Sequence, residues 1–333
     1  MRSLIVAVLG GGRSSEHEVS LSSAASIRHG LEQGGHQPLA IEVGHDGVWR
    51  RDAREVAVVP GRGLEGADVV FPALHGPFGE DGTVQGLLEC LDVPYVGAGV
   101  LASSLCMDKV MFKDLMRHSG VPQVEYRTAR AEELATDRDA VLERVVELGL
   151  PVFVKPARLG SSIGISRVGG ETELLAALRA AFEHDELAII EAAATGLEVE
   201  CSVIGNGEPL ASVPGEILLA AGEHGWYDYE AKYSPGGMQL IVPARVPGHV
   251  RERVRELATT TYRLVGCRGL ARVDFFVEGE RVLVNELNTI PGFTTTSVFA
   301  QLFDASGLTY PKLLDRLLEL ALERHADEHR YRF

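Results

Sequence analysis

Three oxygen-bearing side chains within fifteen positions of one another carry the strongest chemical signal in the chain: Asp274, Glu286 and Asn288. Two carboxylates and an amide oxygen make a hard, all-oxygen set, the kind that holds Mg²⁺ together with substrate phosphates. They lie in Arg272-Val-Asp-Phe-Phe-Val-Glu-Gly-Glu-Arg-Val-Leu-Val-Asn-Glu-Leu-Asn-Thr-Ile-Pro-Gly292. That stretch reads as a β-hairpin, two apolar-rich runs around a Glu-Gly-Glu-Arg turn. Side chains on a strand alternate faces, so Arg272, Asp274 and Phe276 share one side of the first strand. Glu286 and Asn288 share one side of the second. A three-residue loop would pair even-numbered with even-numbered positions and put Asp274 on the face of Glu286 and Asn288. A solvated face with incidental charges suffices for one Asp alone. Three oxygen donors in phase, followed by Thr-Ile-Pro-Gly, favour a metal site. Arg272, in phase with Asp274, is placed to stabilise developing negative charge.

The elements that must position this hairpin belong to a chain of 333 residues with 45% hydrophobic content, enough for two or three packed domains. Its formal net charge of −15 argues against a nucleic-acid partner, which needs a basic face. Nucleotide binding is not excluded, because a few local lysines and a metal suffice for its phosphates. Cys90, Cys106, Cys201 and Cys267 are dispersed without a CxxC pair, as expected of free thiols in a reducing cytosol. The opening Leu4–Leu9 run is too short for a membrane span and lacks a signal-peptide pattern, so a soluble cytoplasmic protein without membrane association is expected.

Residues 1–105 alternate strand and helix. Leu4–Leu9 is a buried-type strand, Gly10-Gly-Gly-Arg-Ser-Ser15 its turn, and a helix runs from about Val19 to Glu32. Strands follow at Pro38–Val43 and Val69–His75. The alternation predicts an open parallel α/β sheet with ligands at the carboxyl ends of its strands. The glycines suggest a dinucleotide site with Glu42 as its ribose acid. That signal is weak, because Ser15 replaces the third glycine and Glu42 lies about 30 residues on instead of about 20.

In residues 106–192 a helix opens at Met107-Asp108-Lys109 and reaches about His118. Residues 131–149 carry helical periodicity ending at Gly149. Lys155 ends the apolar run Pro151-Val-Phe-Val-Lys155-Pro156, where a buried charge must find a partner. Gly160-Ser-Ser-Ile-Gly164 is a small flexible loop able to set backbone N–H groups against phosphate oxygens. This is not the Walker pattern, which needs Gly-Lys-Ser/Thr after its glycines. Ala188–Glu191 is a further strand. In residues 193–333, Leu197–Ile204 is a strand, and 218–239 shifts to Gly, Tyr, Trp, Glu and Lys. A loop of that length is a functional lid or disordered. A helix near 248–265 precedes the hairpin, and Leu308 to about Arg324 forms a terminal amphipathic helix.

Several of these segments resemble one family. Asp274 followed by Glu286-x-Asn288 is similar to the magnesium motif of ATP-grasp ligases. Asn288-Thr-Ile-Pro-Gly-Phe-Thr294 with Ser297, Glu16-His-Glu-Val-Ser-Leu21, Leu74-His75-Gly76, Gly79-Glu-Asp-Gly-Thr83 and Tyr227-Asp-Tyr-Glu-Ala-Lys-Tyr233 resemble its D-alanine–D-alanine ligase branch. The resemblance covers roughly residues 4–320, with the motifs in order. It implies an ATP-grasp fold: an N-terminal open parallel α/β domain with the first D-Ala site (1–105), and two α+β domains, 106–192 and 193–333, closing on ATP. It implies ATP-dependent joining of two D-alanines for peptidoglycan synthesis through an acyl phosphate, with Mg²⁺, in two sites, replaceable by Mn²⁺, and a homodimeric enzyme.

The resemblance also assigns roles. Glu16 would hold the first D-Ala ammonium, although alone it reads as a first-turn carboxylate complementing a helix dipole. His75 would lie beside the first carboxylate, and Ser297 would hold the second. Arg272 and the Gly292 N–H would stabilise the oxyanion. Lys109, Lys155, Ser161, Ser162, Glu191, Ala194, Glu198, Lys232, Phe276 and Asn285 would serve ATP. Tyr233 would reach from the lid toward Ser161 and Glu16. Ala192-Ala193-Ala194 departs from the family, where a Lys is usual after Glu191. Joining D-Ala to D-lactate or D-serine, a nicotinamide-dependent activity at the N-terminal glycines, and an inactive ATP sensor are the alternative readings.

Overall fold

The structure is a computed structural model that describes residues 2–160, 163–219 and 237–331. Three sheets follow one another along the chain. In the first, β1 (Ile5–Gly11) lies between β2 (Gln37–Val43) and β5 (Val69–Pro72), all parallel. Parallel strands need cover on both faces. Leu4, Val6 and Val8 join Ile27 and Leu31 of α1 (His17–Gln33), while Ala7 and Leu9 join Val84 and Leu88 of α2 (Thr83–Leu91). Alternate residues of one strand therefore feed two cores. An antiparallel ribbon of β3 (Trp49–Arg51) and β4 (Arg54–Glu55), absent from the sequence expectation, extends the sheet beyond β2.

The second sheet is antiparallel, in the order β6 (Tyr126–Arg130), β9 (Leu187–Ala192), β7 (Val152–Pro156), β8 (Ser166–Val168). Val152, Val154, Ala188 and Ile190 pack under α6 (Arg138–Val146) and α7 (Glu171–Phe182). The helical periodicity over 131–149 is two helices, since α5 (Ala131–Thr136) stops before α6. Asp137 causes the break: its side chain accepts from the Ala140 N–H as an N-cap, which holds its own backbone out of the helix.

The third sheet runs β13 (Met238–Ile241), β12 (Gly215–Leu219), β10 (Leu197–Gly205), β14 (Gly269–Glu278), β15 (Arg281–Asn288), with β11 (Leu210–Ala211) paired to β10. One face packs on Val254, Leu257 and Tyr262 of α8 (Gly248–Leu264) and on Phe112 and Met116 of α4 (Lys109–His118). Before α4 the chain forms a further helix, α3 (Val100–Met107), ended where Asp108 caps α4 by accepting from the Val110 and Met111 N–H groups. Ile217 packs with Val298 and Leu302 of α9 (Val298–Ala305). Among the described residues no helix is long and apolar enough to cross a membrane.

Two ties join the layers. The last helix, α10 (Tyr310–Glu328), does not pack on the sheet that precedes it alone; Leu313, Leu314 and Leu317 enter the core of β1 and α1. Gly30 permits the approach, since a Cβ there would stand 2.5 Å from Leu314 Cδ1 and 2.7 Å from Tyr310 Cε1. Buried Arg324 then donates to the carbonyls of Gly97 (2.6 Å) and Tyr95 (3.2 Å) with its guanidinium 4.0 Å above the Tyr95 ring. The second tie is a buried ion pair of Lys113 on α4 with Glu191 on β9, Nζ to Oε1 2.9 Å, both side chains at most 4% exposed.

Both ties predict measurable losses. Arg324→Ala leaves two buried carbonyls without their cationic donor and should lower stability by about 2–3 kcal/mol in denaturant unfolding. Arg324→Lys should not restore it, because one ammonium cannot reproduce the planar fork. Lys113→Met strips half the charge compensation from a buried carboxylate and should cost about 3 kcal/mol or more, read by the same measurement. A Lys113→Met loss under 1 kcal/mol would show that Lys155 alone satisfies Glu191.

Candidate active site

The hairpin of β14 and β15 does not close with a three-residue loop. Glu278 pairs with Arg281, leaving a two-residue turn of Gly279 and Glu280. Gly279 has φ +63°, as the first central position of such turns demands, and only glycine takes it without strain. Continued unbroken, that register would pair Asp274 with Asn285 and turn Glu286 to the opposite face. A bulge intervenes: Phe275 pairs with Val284, but Asp274 pairs with Glu286 and Arg272 with Asn288. Asn285 is the extra residue. Before it, Val282 and Val284 point into the core, and after it Leu287 does. The shared face expected of Asp274, Glu286 and Asn288 is therefore reached by a different route, through the register shift at Asn285.

On that face Arg272 holds Asp274 with two hydrogen bonds, Nε to Oδ1 and Nη2 to Oδ2, each 2.7 Å. Asn288 Nδ2 donates to Asp274 Oδ2 at 2.9 Å. Across the other edge, β10 sets Glu198 opposite Phe276 and Glu200 opposite Asp274. Glu200, buried, lies 2.9 Å from Arg272 Nε. Sequence reasoning missed Glu200, although its two-residue spacing from Glu198 in a strand was the signal.

This face forms one wall of a cleft of about 920 Å³ between the three sheets. Every candidate that the family resemblance assigns within the described residues lines it, Glu16, His75, Lys109, Lys155, Glu191, Ala194, Glu198, Arg272, Asp274, Phe276, Asn285, Glu286, Asn288, Gly292 and Ser297, whereas Glu42 of the dinucleotide reading does not. Ser161, Ser162, Lys232 and Tyr233 lie outside the described residues, as does most of the expected lid; its ends at Leu219 and Met238 are paired strand positions.

The cleft is also lined by the lysines Lys109 and Lys155. Lys155 Nζ lies 2.5 Å from Glu191 Oε2, while Lys113 takes Oε1. Burial would raise the Glu191 carboxyl, but Lys113 and Lys155 outweigh it and hold it at about 2. Burial acts against the charge on Lys155, and Glu191 more than restores it, so that ammonium is held above its ordinary value. Glu191, expected to serve ATP, is here paired with two lysines. Lys113 was not foreseen; its i,i+4 spacing from Lys109 puts both on one helix face, which was the available signal. Lys109 donates to the Leu159 carbonyl at 2.6 Å, and burial pushes its pKa down.

The N-terminal layer supplies the third wall. Glu16 precedes α1 and is nearly buried, with Oε2 2.6 Å from where a Cβ on Gly76 would stand. Gly76 has φ +74°, a left-handed conformation that favours glycine there. Burial pushes the nearby Glu80 carboxyl up to about 8, and the Glu16 charge adds to the effect. His75 is buried with both ring nitrogens engaged: Nδ1 lies 3.1 Å from the Ile290 carbonyl and Nε2 3.0 Å from Ser23 Oγ. Nδ1–H donating to the carbonyl leaves Nε2 to accept from the serine, a neutral ring, consistent with the lowering of its pKa by burial. His75 thereby ties α1 to the loop that presents Gly292. Ser297 Oγ lies 3.3 Å from a Cβ placed on Gly292 and is 2.9 Å from the Thr294 N–H.

The comparisons with known proteins converge. The family pattern described as D-ala D-ala ligase C-terminus matches residues 115–319, and that described as D-ala D-ala ligase N-terminus matches 5–63 and 58–98. The D-alanine–D-alanine ligase of Deinococcus radiodurans is 46% identical, the alignment covering 96% of this chain and 98% of the relative. That of Solibacter usitatus is 45% identical, with 99% of each covered. Among solved structures, the D-alanine-D-alanine ligase from Coxiella burnetii superposes with a TM-score of 0.88 at 35% identity, covering 99% of this chain and 97% of that one. The VanG D-Ala:D-Ser ligase from Enterococcus faecalis gives 0.85 at 34%, covering 96% and 100%. With both halves matched and relatives this similar over nearly their whole length, the chain belongs to the D-alanine–D-alanine ligase family and has its ATP-grasp fold.

Proposed function

We propose that the protein is an ATP-dependent ligase that joins two D-alanines, giving D-alanyl-D-alanine, ADP and phosphate for peptidoglycan synthesis. Family membership supports the reaction. The observation that carries the assignment of chemistry to residues is that Arg272, Asp274, Glu286 and Asn288, on one face of the hairpin, line the same cleft as Lys109 and Lys155.

A carboxylate is a poor electrophile, and its activation as an acyl phosphate with loss of ADP is mostly a matter of positioning and charge neutralisation. Lys109 and Lys155 supply cationic charge for the phosphates, and Glu191 with Lys113 holds Lys155 at a fixed place. The set Asp274, Glu286 and Asn288 fits Mg²⁺: all three offer oxygen, and they are brought to one face across two paired strands. These residues would hold the ion, in one or two sites and with Mn²⁺ as a substitute, and the ion would offset phosphate charge. Glu16 carries the charge to meet the first D-alanine's ammonium. The second amine displaces phosphate at the acyl carbon, and Arg272 with the Gly292 N–H stands where the oxyanion forms. Ser297, beside Gly292, is the group for the second carboxylate. For Lys232, Tyr233, Ser161 and Ser162 the family resemblance is the support. It likewise supports a homodimer acting in the cytoplasm.

A second reading, D-Ala–D-Ser ligation, is favoured by the similarity to the Enterococcus faecalis enzyme. Phosphate release from ATP should be measured with D-Ala, L-Ala, D-Ser and D-lactate, alone and each with D-Ala, and the products identified. D-Ala alone should give phosphate and dipeptide in equal amounts, and L-Ala none. Absence of D-Ala-dependent phosphate release would overturn the proposal, and preferential Ala-Ser formation would establish the second reading. Glu286→Gln should lower kcat about 10²-fold or more, a loss of about 3 kcal/mol of transition-state stabilisation. Wild-type turnover in that variant at modest Mg²⁺ would remove the hairpin as the metal site.

A further inference from the structure

Outside the cleft, the exposed end of α10 meets the loop after α2 in a cluster that neither the fold nor the ligase chemistry requires. His325, in the last turn of α10, and His329, its C-cap, stand one helical turn apart at i,i+4 spacing. Their rings lie 4.1 Å apart, tilted by 31°. Both present Nε2 to one oxygen of one residue, Asp92 Oδ1, at 3.3 Å from His325 and 2.9 Å from His329. The three ligand atoms all lie within 4.8 Å of one another. Asp92 is held in place by the backbone, as the C-cap of α2 with φ +56°.

We propose that Asp92, His325 and His329 form a binding site for a divalent transition-metal ion of the Zn²⁺ class, which fastens the last helix to the N-terminal layer. Zn²⁺ takes imidazole nitrogen and carboxylate oxygen at about 2.0–2.2 Å, so tetrahedral ligand atoms stand about 3.3 Å apart. The two His-to-Asp separations already match that edge to within a few tenths of an ångström. Two imidazoles and one carboxylate are the ligand types that suit Zn²⁺, Co²⁺ or Ni²⁺ and disfavour Mg²⁺ and Ca²⁺.

The outer hydrogen bond is in place as well. His329 Nδ1 lies 2.8 Å from the His325 carbonyl and donates to it, which orients the ring and commits Nε2 to the cluster. With Nδ1–H so committed, Nε2 can hydrogen-bond Asp92 only by carrying a second proton. Both Nε2 atoms face the same carboxylate oxygen, and a single divalent ion among the three would engage all of them. Asp92 is 58% and His329 54% exposed at the side chain, so solvent can reach the ion and supply its fourth ligand. None of the three lines the cleft, so the site is independent of the ligase chemistry.

The test uses the full chain without an affinity tag, with ZnCl₂ as probe and saturating Mg²⁺ to occupy the acidic hairpin. Zn²⁺ should raise the melting temperature by several degrees, with one ion bound per chain by calorimetry. In the double variant His325→Gln/His329→Gln both effects should vanish, whatever that variant's melting temperature without metal. Co²⁺ should give the visible absorption of a four-coordinate ion in the wild-type chain and not in the variant. No Zn²⁺-dependent shift in the wild-type chain, or an equal shift in the variant, as from binding at cysteines or in the cleft, would overturn the proposal.

Discussion

One unpaired residue governs this molecule's cleft. A strand has a side-chain period of two, so inserting Asn285 between Val284 and Glu286 exchanges the faces of everything after it. Below the bulge β15 gives Val282 and Val284 to the core; above it the chain gives Leu287 to the core and Glu286 and Asn288 to the cleft. The two-residue turn and the oxygen cluster would be incompatible without it. The neighbouring strand β10 keeps its unbroken register with β14, so Glu198 and Glu200 arrive on the same face as Asp274 by simple alternation.

Concentrating carboxylates on one wall is costly unless each has a counter-charge or a hydrogen-bond donor. The structure answers with paired cations in low-dielectric surroundings. Arg272 lies between Asp274 and Glu200, and Glu191 between Lys113 and Lys155. Each arrangement holds a cleft-lining cation, Arg272 or Lys155, against a buried carboxylate, Glu200 or Glu191. Glu80 shows what happens where compensation is weaker: burial and the Glu16 charge leave its carboxyl titrating at about 8.

The three walls must keep their spacing, and long-range packing does this. α4 contributes Phe112 and Met116 to the core of the third sheet while its Lys113 reaches the second. α10 returns from the end of the chain to the first sheet, where Gly30 admits it and Arg324 secures it to the carbonyls of Tyr95 and Gly97. The helix α10 thereby becomes part of the first layer.

Residue types and local period were enough to mark the Asp274, Glu286 and Asn288 group, the apolar strands, the long helices and the charged end of Lys155's strand. The order of motifs was enough to reach the family. These are properties that neighbouring residues express by themselves, through alternation, turn chemistry and sterics. Lys113 and Glu200 were legible only as spacings, because a lysine in a helix or a glutamate in a strand acquires meaning from what the next layer places against it. The break at Asp137, the antiparallel ribbon beside β2 and the docking of α10 were likewise decided by capping and by competing buried surfaces. The bulge at Asn285 belongs to this second group. Hairpin sequence allows both a three-residue loop and a two-residue turn with a bulge, and only the pairing of β15 with a β14 already fixed by β10 selects between them.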